Sequence, residues 1–389
     1  MTALAPVGSA ASGPVAARHS RLGVEEEFHL VDPGTGEVRP GSEEVLAALP
    51  AGERYKAELM ASAVETNSAV AETLADLRAD VAASRAELVD IADRCGYGVI
   101  AAGAAPLTGA VPIPIMDGKR YSIMQQDYRM LADEQLICGL QVHVDCPDRD
   151  LGIRAMNRLQ PWLPLLLALS ASSPYWQGRD TGYASYRTLL WSRWPTTGPA
   201  PQVSGAAAYD ALVELLVDSG VAHDPGMIYF DSRAALAYPT IEIRIADSVP
   251  LVDDLVLVAG LGRALVRRCI ADVERGAAEE ITPVEVLNVA RWRAARSGLT
   301  GPLLDPRTFR PVAPQEAMLA LLEHVREFSD AEGDTAELTE LTAATLADGG
   351  SAARQRRAVA ETGDVRSAVA ALRRETAAPG RGTPAGESR

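Results

Sequence analysis

The chain has 389 residues, of which 47% are hydrophobic, and its formal net charge is −15. This length and composition allow a large hydrophobic core, which excludes a chain that is mainly disordered. The negative charge disfavours nucleic acid or an anionic membrane as a partner, because both would be repelled. No stretch has the roughly 20 uninterrupted apolar residues of a membrane helix. The four cysteines form no CxxC pair, which favours a cytoplasmic location.

Both ends of the chain have the composition of disordered segments. Residues 1–19 are rich in Ala, Gly, Ser and Pro but lack the basic start and apolar core of a signal peptide. Residues 376–389 are rich in Gly, Pro and Ala. We therefore predict a disordered leader over 1–19, one domain over 20–375 and a disordered tail over 376–389.

The first predicted strand contains three consecutive glutamates, in Gly-Val-Glu-Glu-Glu-Phe-His-Leu at residues 23–30. Side chains of a strand alternate between its two faces, so Glu25, Glu27 and His29 share one face and Glu26 lies on the other. Carboxylates held so close repel one another unless a cation lies between them. The pattern is consistent with a divalent metal site or with a solvated edge strand whose charges oppose aggregation.

The next segments predict a hairpin and a further strand. Asp-Pro-Gly-Thr-Gly-Glu at 32–37 is typical of a turn, and we expect a return strand after it. Residues 63–68 read as another strand, which carries Glu65. Glu58 lies seven residues earlier, so both carboxylates reach one centre only if a turn or bulge intervenes. A structural role for Glu58 is equally compatible with the sequence.

Helical spacing of leucines and alanines predicts an amphipathic helix over 73–95, followed by a short buried strand over 99–103 and a loop over 106–118. Arg120 follows this loop. It belongs to the first basic cluster of an acidic protein, and its guanidinium is suited to bind a phosphate or a carboxylate. A surface salt bridge is the competing interpretation.

A second polar strand face is predicted at 137–145, where Gln141 and His143 point to one side. A helix over 153–170 precedes a segment rich in aromatic residues and arginines, which includes Arg187, Trp191 and Arg193. Such residues can stack on a base and bind phosphates or a substrate carboxylate. They can equally form an aromatic satellite of the core.

The strand predicted at 240–247 places Glu242 and Arg244 on one face and three isoleucines on the other. Polar residues thus project from four predicted strands. This composition is typical of an oxygen-rich site for Mg²⁺ and nucleotide phosphates rather than of a zinc site. The rest of the chain predicts helices over 251–275, 283–296, 314–328 and 351–375.

The order of these motifs resembles the glutamate–cysteine ligase type 2 family of carboxylate-amine ligases, over about residues 20–375. The resemblance is carried by Gly-Val-Glu-Glu-Glu at 23–27, Glu58 and Glu65, Gly-Leu-Gln-Val-His-Val at 139–144, Arg-Thr-Leu-Leu-Trp-Ser-Arg-Trp at 187–194 and Ile-Glu-Ile-Arg at 241–244. The family often has His where this chain has Gln141. A glutamine carbonyl oxygen can still coordinate Mg²⁺.

The resemblance implies an α+β, glutamine-synthetase-like catalytic domain, with a curved, mainly antiparallel sheet and helices on its outer face. Its cofactors would be ATP and Mg²⁺. It implies metal ligands on four strands and a phosphate contact from Arg244. The implied metal ligands are Glu25, Glu27, Glu65, Gln141 and Glu242. From the residues themselves we add a catalytic role for His143, as a candidate base, and candidate substrate or nucleotide contacts from Glu58, Arg120, Arg187, Trp191 and Arg193.

The implied reaction is ATP-dependent amide formation through an acyl phosphate, with weak glutamate–cysteine ligase activity expected. Its partners would be amino-acid or amine substrates and ATP, with a homodimer as a candidate assembly. Two other classes use similar residues. One is an Mg²⁺-dependent hydrolase, and the other is a protein that binds a nucleotide or an amino acid without turnover.

Overall fold

The structure is a computed structural model that describes residues 20–109, 112–279 and 281–381. The leader predicted at 1–19 lies outside these ranges. The strands of the described chain are β1 (Leu22–Val31), β2 (Tyr55–Ala57), β3 (Ala63–Asn67), β4 (Gly98–Ile100), β5 (Gly139–Asp145), β6 (Tyr175–Trp176), β7 (Arg179–Asp180), β8 (Thr197–Gly198), β9 (Tyr229–Phe230), β10 (Ser232–Ala234), β11 (Thr240–Asp247), β12 (Leu303–Leu304) and β13 (Pro311–Val312).

The described helices include a short 3₁₀ helix at Pro225–Met227, which precedes β9. None of the described helices is long and apolar enough to span a membrane. The α-helices are α1 (Ser42–Ala48), α2 (Leu74–Arg94), α3 (Lys119–Tyr128), α4 (Met130–Asp133), α5 (Arg149–Leu159), α6 (Leu163–Ser170), α7 (Tyr186–Trp191), α8 (Ala206–Asp218), α9 (Val252–Glu274), α10 (Val284–Ser297), α11 (Pro314–Glu332), α12 (Thr335–Asp348), α13 (Gly350–Thr362) and α14 (Arg366–Ala377).

One seven-stranded antiparallel sheet organises the fold. Its strand order is β10-β11-β5-β1-β3-β2, and β4 also pairs with β1. β1 is therefore central, with β3 along one edge and β5, followed by β4, along the other, since His29 pairs with both Ala63 of β3 and Ile100 of β4. The predicted α+β class with a mainly antiparallel sheet is confirmed.

The two faces of the sheet differ in chemistry. One face, here called the helix face, packs against α2 and the long apolar α9. Gly262 of α9 brings that helix close to β5 and β11, since a Cβ at this position would lie 3.1 Å from the Ile243 side chain. The other face carries Glu25, Glu27 and their polar neighbours and is called the cavity face.

Glu26 lies on the helix face, as alternation predicts, and forms an ion pair with Arg85 of α2. Both side chains are 2% exposed. The Arg85 Nε lies 3.0 Å from Glu26 Oε1, and its Nη2 also donates to the backbone carbonyl of Val249. The middle glutamate is therefore part of the core packing.

Substitution of Glu26 tests this assignment. Glu26→Gln leaves Arg85 buried with its charge unpaired, and breaking such a pair typically costs about 3–5 kcal/mol. We expect the free energy of unfolding, measured by urea denaturation, to fall by an amount of this order. A change close to zero would contradict the role of Glu26 in the core.

Several predicted elements need correction. After the turn at 32–36, Val38 forms only an isolated bridge with Val31, and α1 follows instead of a return strand. The helix predicted over 153–170 is divided into α5 and α6, next to Pro161 and Pro164. The helix predicted over 351–375 is divided at Gly363, which adopts a left-handed conformation with φ of 74°. The predicted strand at 137–145 and the helix at 73–95 are confirmed.

The described chain continues past the predicted start of the tail at 376. α14 extends to Ala377, and the Arg381 Nη1 lies 2.5 Å from the Asp348 carboxylate. Arg354 of α13 joins the same cluster, with ion pairs to Asp254, Asp348 and Glu375. Residues 382–389 lie outside the described ranges. The prediction of one domain over 20–375 stays a prediction.

Candidate active site

Strand register brings the predicted polar residues together on the cavity face. Glu25 lies opposite Gln141 of β5 on one side and Asn67 of β3 on the other. Glu27 lies opposite Glu65, and Glu242 of β11 lies opposite His143. Directly paired residues of antiparallel strands point to the same face. Four strands therefore deliver their polar side chains to one place.

An inner cavity of about 240 Å³ opens on this face. Its walls combine carboxylates from the sheet with arginines and with aromatic and aliphatic side chains from α3, α7 and the segments beside β9. The lining residues that carry charge or an aromatic ring are Glu25, Glu27, Glu58, Glu65, Arg120, Tyr121, Arg187, Trp191, Trp194, Tyr229, Arg233 and Arg244.

The first carboxylate group contains Glu27, Glu58 and Glu65, which can place one oxygen each within 4.8 Å of one another. A turn between β2 and β3 allows Glu58 and Glu65 to reach the same centre. Burial and the neighbouring charges of Glu27 and Glu65 raise the pKa of Glu58 well above its usual value. Burial and the charges of Glu25 and Glu27 raise the pKa of Glu65 to about 7.

The second group contains Glu25, His143 and Glu242, whose ligand atoms also lie within 4.8 Å of one another. The His143 Nε2 is 3.4 Å from Glu25 Oε1, and its Nδ1 is 2.9 Å from the Thr240 hydroxyl. Burial opposes ionisation of Glu25, but the His143 imidazole and the Arg244 charge outweigh it and lower its pKa. This group holds a carboxylate in its charged form.

Glu242 is held by two arginines. Arg233 Nε lies 2.6 Å from Glu242 Oε2, and Arg244 contacts the other oxygen. Burial raises the pKa of Glu242, but the charges of Arg244 and Arg233 outweigh it and bring the pKa to about 2. Arg233 was not predicted. It lies in β10, a three-residue strand with no readable pattern, although the hairpin with β11 places it opposite Glu242.

The donor set fits a hard divalent cation. Within the described ranges, the carboxylates of Glu27, Glu58 and Glu65 form no ion pair, and the neutral amides of Gln141 and Asn67 donate hydrogen bonds to Glu27 and Glu65. The repulsion between the three carboxylates is therefore only partly offset. Oxygen ligands of this kind are those that Mg²⁺ prefers. A divalent cation would lower the raised pKa values by offsetting this repulsion.

Gln141 connects this donor set to β5. Its Nε2 donates to Glu27 Oε1 at 2.7 Å, and the Gly139 N–H donates to Glu27 Oε2 at 2.7 Å. The Oε1 of Gln141 is buried and accepts no hydrogen bond from the described residues. It is therefore available to a ligand, as the predicted coordination by Gln141 requires.

The predicted arginines divide into two sets. Arg120, Arg187 and Arg244 line the inner cavity, and Arg120 also pairs with Asp224 at 2.6 Å, so both interpretations of Arg120 apply. Arg193 is not among the described lining residues. Its Nη1 lies 2.5 Å from Glu134, and the structure does not bring it to the cavity.

A second cavity of about 310 Å³ adjoins the first at Glu25. Its walls are more apolar and come from the start of β1, the end of β3 and the hairpin before β11. His143 and Thr240 line its inner side, and Tyr238 lies at its rim with 56% of its surface exposed. The first group of potential cation ligands thus lies at the inner cavity, and the second group lies where the two cavities meet at Glu25.

Comparison with known proteins gives the same family as the motifs. The family model of "Glutamate-cysteine ligase family 2" matches residues 21–371. The chain belongs to this glutamate–cysteine ligase family. One relative, from Mycolicibacterium smegmatis, is provisionally named glutamate–cysteine ligase 2-2. It is 47% identical over 360 residues, which are 92% of this chain and 90% of the relative.

Longer members of the glutamate–cysteine ligase family also match. One from Frankia casuarinae is 46% identical over 347 residues, which are 89% of this chain but only 40% of the relative. The chain thus spans less than half the length of this relative. Among solved structures, a glutamate–cysteine ligase from Francisella tularensis in complex with AMP has a TM-score of 0.69 at 10% identity, over 92% of this chain and 89% of the other.

A bifunctional glutathione synthetase from Pasteurella multocida has a TM-score of 0.66 at 15% identity, over 92% of this chain and 52% of the other. At these identities the similarity shows the fold alone. The glutamine-synthetase-like fold that the resemblance implied is confirmed.

Proposed function

We propose that the protein is an ATP-dependent carboxylate-amine ligase that uses Mg²⁺. The observation that carries the proposal is the pair of three-ligand groups on one sheet face, beside a cavity lined by four arginines. Phosphoryl transfer requires cations at the phosphates and fixed positive groups around the transferred phosphoryl group. Membership of the glutamate–cysteine ligase family supports the same reaction class.

The proposed reaction has two steps. A substrate carboxylate oxygen attacks the γ-phosphorus of ATP, the bond to the β-phosphate oxygen breaks, and ADP leaves. An amine then attacks the acyl carbon of the resulting acyl phosphate, inorganic phosphate leaves, and the amine loses a proton. The proposal needs no covalent bond to the protein. His143 and a glutamate are the candidate bases for this proton.

Each group of side chains has a proposed role. Glu27, Glu58 and Glu65 would hold one cation, and Glu25 and Glu242 a second, with Gln141 adding a carbonyl oxygen and His143 left as a candidate base. Bound Mg²⁺ would offset the charge of the phosphates. Arg244 would hold the transferred phosphoryl group, and Arg120, Arg187 and Trp191 would contact the substrate in the inner cavity. The more apolar second cavity is suited to the nucleotide base.

Measurement of ADP release separates this proposal from its rivals. A ligase releases ADP from Mg·ATP only when both a carboxylate and an amine are present. A metal-dependent hydrolase turns over its substrate without a nucleotide. A binding protein gains thermal stability with Mg·ATP but forms no ADP with any substrate pair, and this result would overturn the proposal.

Glutamate and cysteine are the first substrates to test, because the names of the relatives specify this pair. We propose weak activity on this pair. A screen of amino acids and amines for ADP release would identify the preferred substrates. A homodimer and a cytoplasmic location stay predictions. The four cysteines are free in the structure, which is compatible with the predicted location.

The pKa of Glu65 gives a test of metal binding that does not depend on turnover. Its folded-state pKa of about 7 exceeds the ordinary value of 4.5. Between these values the folded protein binds more protons than the unfolded chain, so the stability of the metal-free protein falls as pH rises. We expect Mg²⁺ to raise the melting temperature more at about pH 8 than at about pH 5.

Glu65→Gln removes one of the repelling charges. We expect this variant to be more stable than the parent protein at about pH 8 without metal, by an amount on the order of 3 kcal/mol, since one pKa unit corresponds to about 1.4 kcal/mol. It should also lose most of its response to Mg²⁺. An Mg²⁺ response that is equal at both pH values would contradict a cation site at this group.

A further inference from the structure

A buried carboxylate lies beside Arg187, a lining residue of the inner cavity, and is not part of the proposed donor set. Asp247 ends β11, three residues after Arg244, and its side chain is 0% exposed. Its oxygens accept three hydrogen bonds from neutral donors: Ser172 N–H at 2.9 Å, the Ser173 hydroxyl at 2.7 Å and the Ser185 hydroxyl at 2.8 Å. Burial raises the pKa of Asp247, while the charge of Arg187 and these hydrogen bonds, which favour the ionised carboxylate, oppose the rise.

The surrounding chain is shaped to admit this carboxylate. A Cβ at Gly103 would lie 2.3 Å from the Asp247 carboxyl group, so a larger residue at 103 would displace it. The nearest positive charge is the guanidinium of Arg187, whose Nη1 lies 3.8 Å from Asp247 Oδ1. A buried charge is unfavourable unless it is paired, and Arg187 supplies that pairing.

Asp247 also contacts the backbone that carries Arg187. The Ser173 hydroxyl that donates to Asp247 accepts the Arg187 N–H at 3.1 Å. The Ser185 hydroxyl that donates to Asp247 also accepts from the Thr188 N–H and caps α7, in which Arg187 is the second residue. Asp247 therefore constrains both the main chain and the side chain of Arg187.

The guanidinium of Arg187 has unused donors where it meets the cavity. Its Nη groups reach only the carbonyls of Arg244 and Ile245, both at 3.4 Å, and its Nε has no hydrogen-bond partner among the described residues. Gly139 leaves it space, because a Cβ there would lie 2.5 Å from Nη2. A buried donor without a partner is unfavourable, so these N–H groups favour an oxyanion at this wall of the cavity.

Charged groups on several sides act on Arg187. Asp247, Glu27 and Asp231 attract the guanidinium, while Arg244 and Arg291 repel it. Asp231 is already paired with Arg291 at 3.1 Å. Glu27 lies on the cavity side and belongs to the proposed cation site. If Asp247 did not hold Arg187, the guanidinium would be drawn towards Glu27 and would compete with the cation.

We propose that Asp247 is a positioning residue that holds Arg187 at the cavity wall, where its free N–H groups bind an oxyanion of the ligand instead of Glu27. The oxyanion is either the terminal phosphoryl group of ATP or the carboxylate of the substrate. The identity of this ligand rests on the proposed function, whereas the positioning of Arg187 by Asp247 does not.

A crystal structure of the ligand-free Asp247→Asn variant tests the positioning by itself. The change removes the charge and keeps the shape. We expect the Arg187 guanidinium to move towards Glu27, and an unmoved guanidinium would overturn the proposal whether or not the protein is a ligase. If this variant does not fold, Ser173→Ala replaces it, because that change removes the hydroxyl that links Asp247 to the Arg187 backbone.

Calorimetric titration then tests the ligand. The probes are a non-hydrolysable ATP analogue with Mg²⁺, ADP with Mg²⁺, and glutamate. We expect Arg187→Met and Asp247→Asn each to lower the affinity for the same probe by about tenfold or more. The double variant should bind this probe no more weakly than Arg187→Met does. A loss of affinity for the ATP analogue but not for ADP identifies the terminal phosphoryl group as the ligand of Arg187. A loss of affinity for glutamate identifies the substrate carboxylate.

Glu26→Gln is the matched control, because it breaks a buried carboxylate–arginine pair on the helix face. It should lower stability without changing the affinity for any probe. Independent, additive effects of the Asp247 and Arg187 changes would overturn the proposal. Failure of the parent protein to bind any probe would instead overturn the proposed function, and the crystal structure would still decide the positioning.

Discussion

We expect Glu27→Gln to lower the rate of ADP formation on the order of 10³-fold or more while the protein stays folded. A metal ligand supplies several kcal/mol of transition-state stabilisation, which this variant would lack. Glu27 is the carboxylate that lies opposite Glu65 and accepts hydrogen bonds from Gly139 and Gln141. The glutamine keeps the size of the side chain but not its charge. ADP release by the variant, with the melting temperature as a check on folding, measures the effect.

Glu26→Gln is again the matched control, one residue away on the opposite face. It should reduce stability through Arg85 but keep the turnover of each folded molecule. The two neighbouring variants therefore separate chemistry from stability. Undiminished ADP formation by Glu27→Gln, or an equal loss of turnover in both variants, would remove Glu27 from the proposed site.

We expect Arg244→Lys to lower the rate of ADP formation on the order of 10²-fold or more. Arg244 lies at the cavity, contacts Glu242 through Nη1 and has a buried Nε without a partner among the described residues. A lysine ammonium is a point charge and cannot bind both Glu242 and a phosphoryl oxygen with the planar geometry of a guanidinium. Initial rates of ADP release at saturating Mg·ATP measure this loss.

Arg193→Lys provides the comparison for Arg244. It makes the same chemical change in an arginine that pairs with Glu134 and does not line the described cavity. We expect turnover close to that of the parent protein. Full activity of Arg244→Lys would exclude Arg244 from phosphate binding, and a similar large loss in Arg193→Lys would contradict the exclusion of Arg193 from the site.

The sequence predicted the parts of the site that depend on local geometry. Alternation along a strand assigns Glu25 and Glu27 to one face and Glu26 to the other, because the two-residue period is a property of the strand itself. The same rule correctly grouped Gln141 with His143 and Glu242 with Arg244. These assignments needed no knowledge of the strand order.

Contacts that depend on distant parts of the chain were not predictable in this way. Glu58 reaches Glu65 only because a turn separates β2 from β3, and the sequence left both of its interpretations open. Arg233 lies in a strand too short to show a period. The arginine-rich segment 179–194 did not show that Arg187 faces the cavity while Arg193 faces Glu134. Its helix α7 has only six residues, which are too few to show a helical period.

The opposite environments of the glutamates of β1 have a consequence for folding. A shift of one residue in the pairing of this strand would expose Glu26 to the cavity and bury Glu25 and Glu27 against α2, where a single arginine would face two charges. Such a misregistered sheet would be strongly unfavourable. The charges that serve the proposed chemistry therefore also favour the correct strand register. A sheet with the shifted register would be less stable because of its buried charges, even before any ligand is bound.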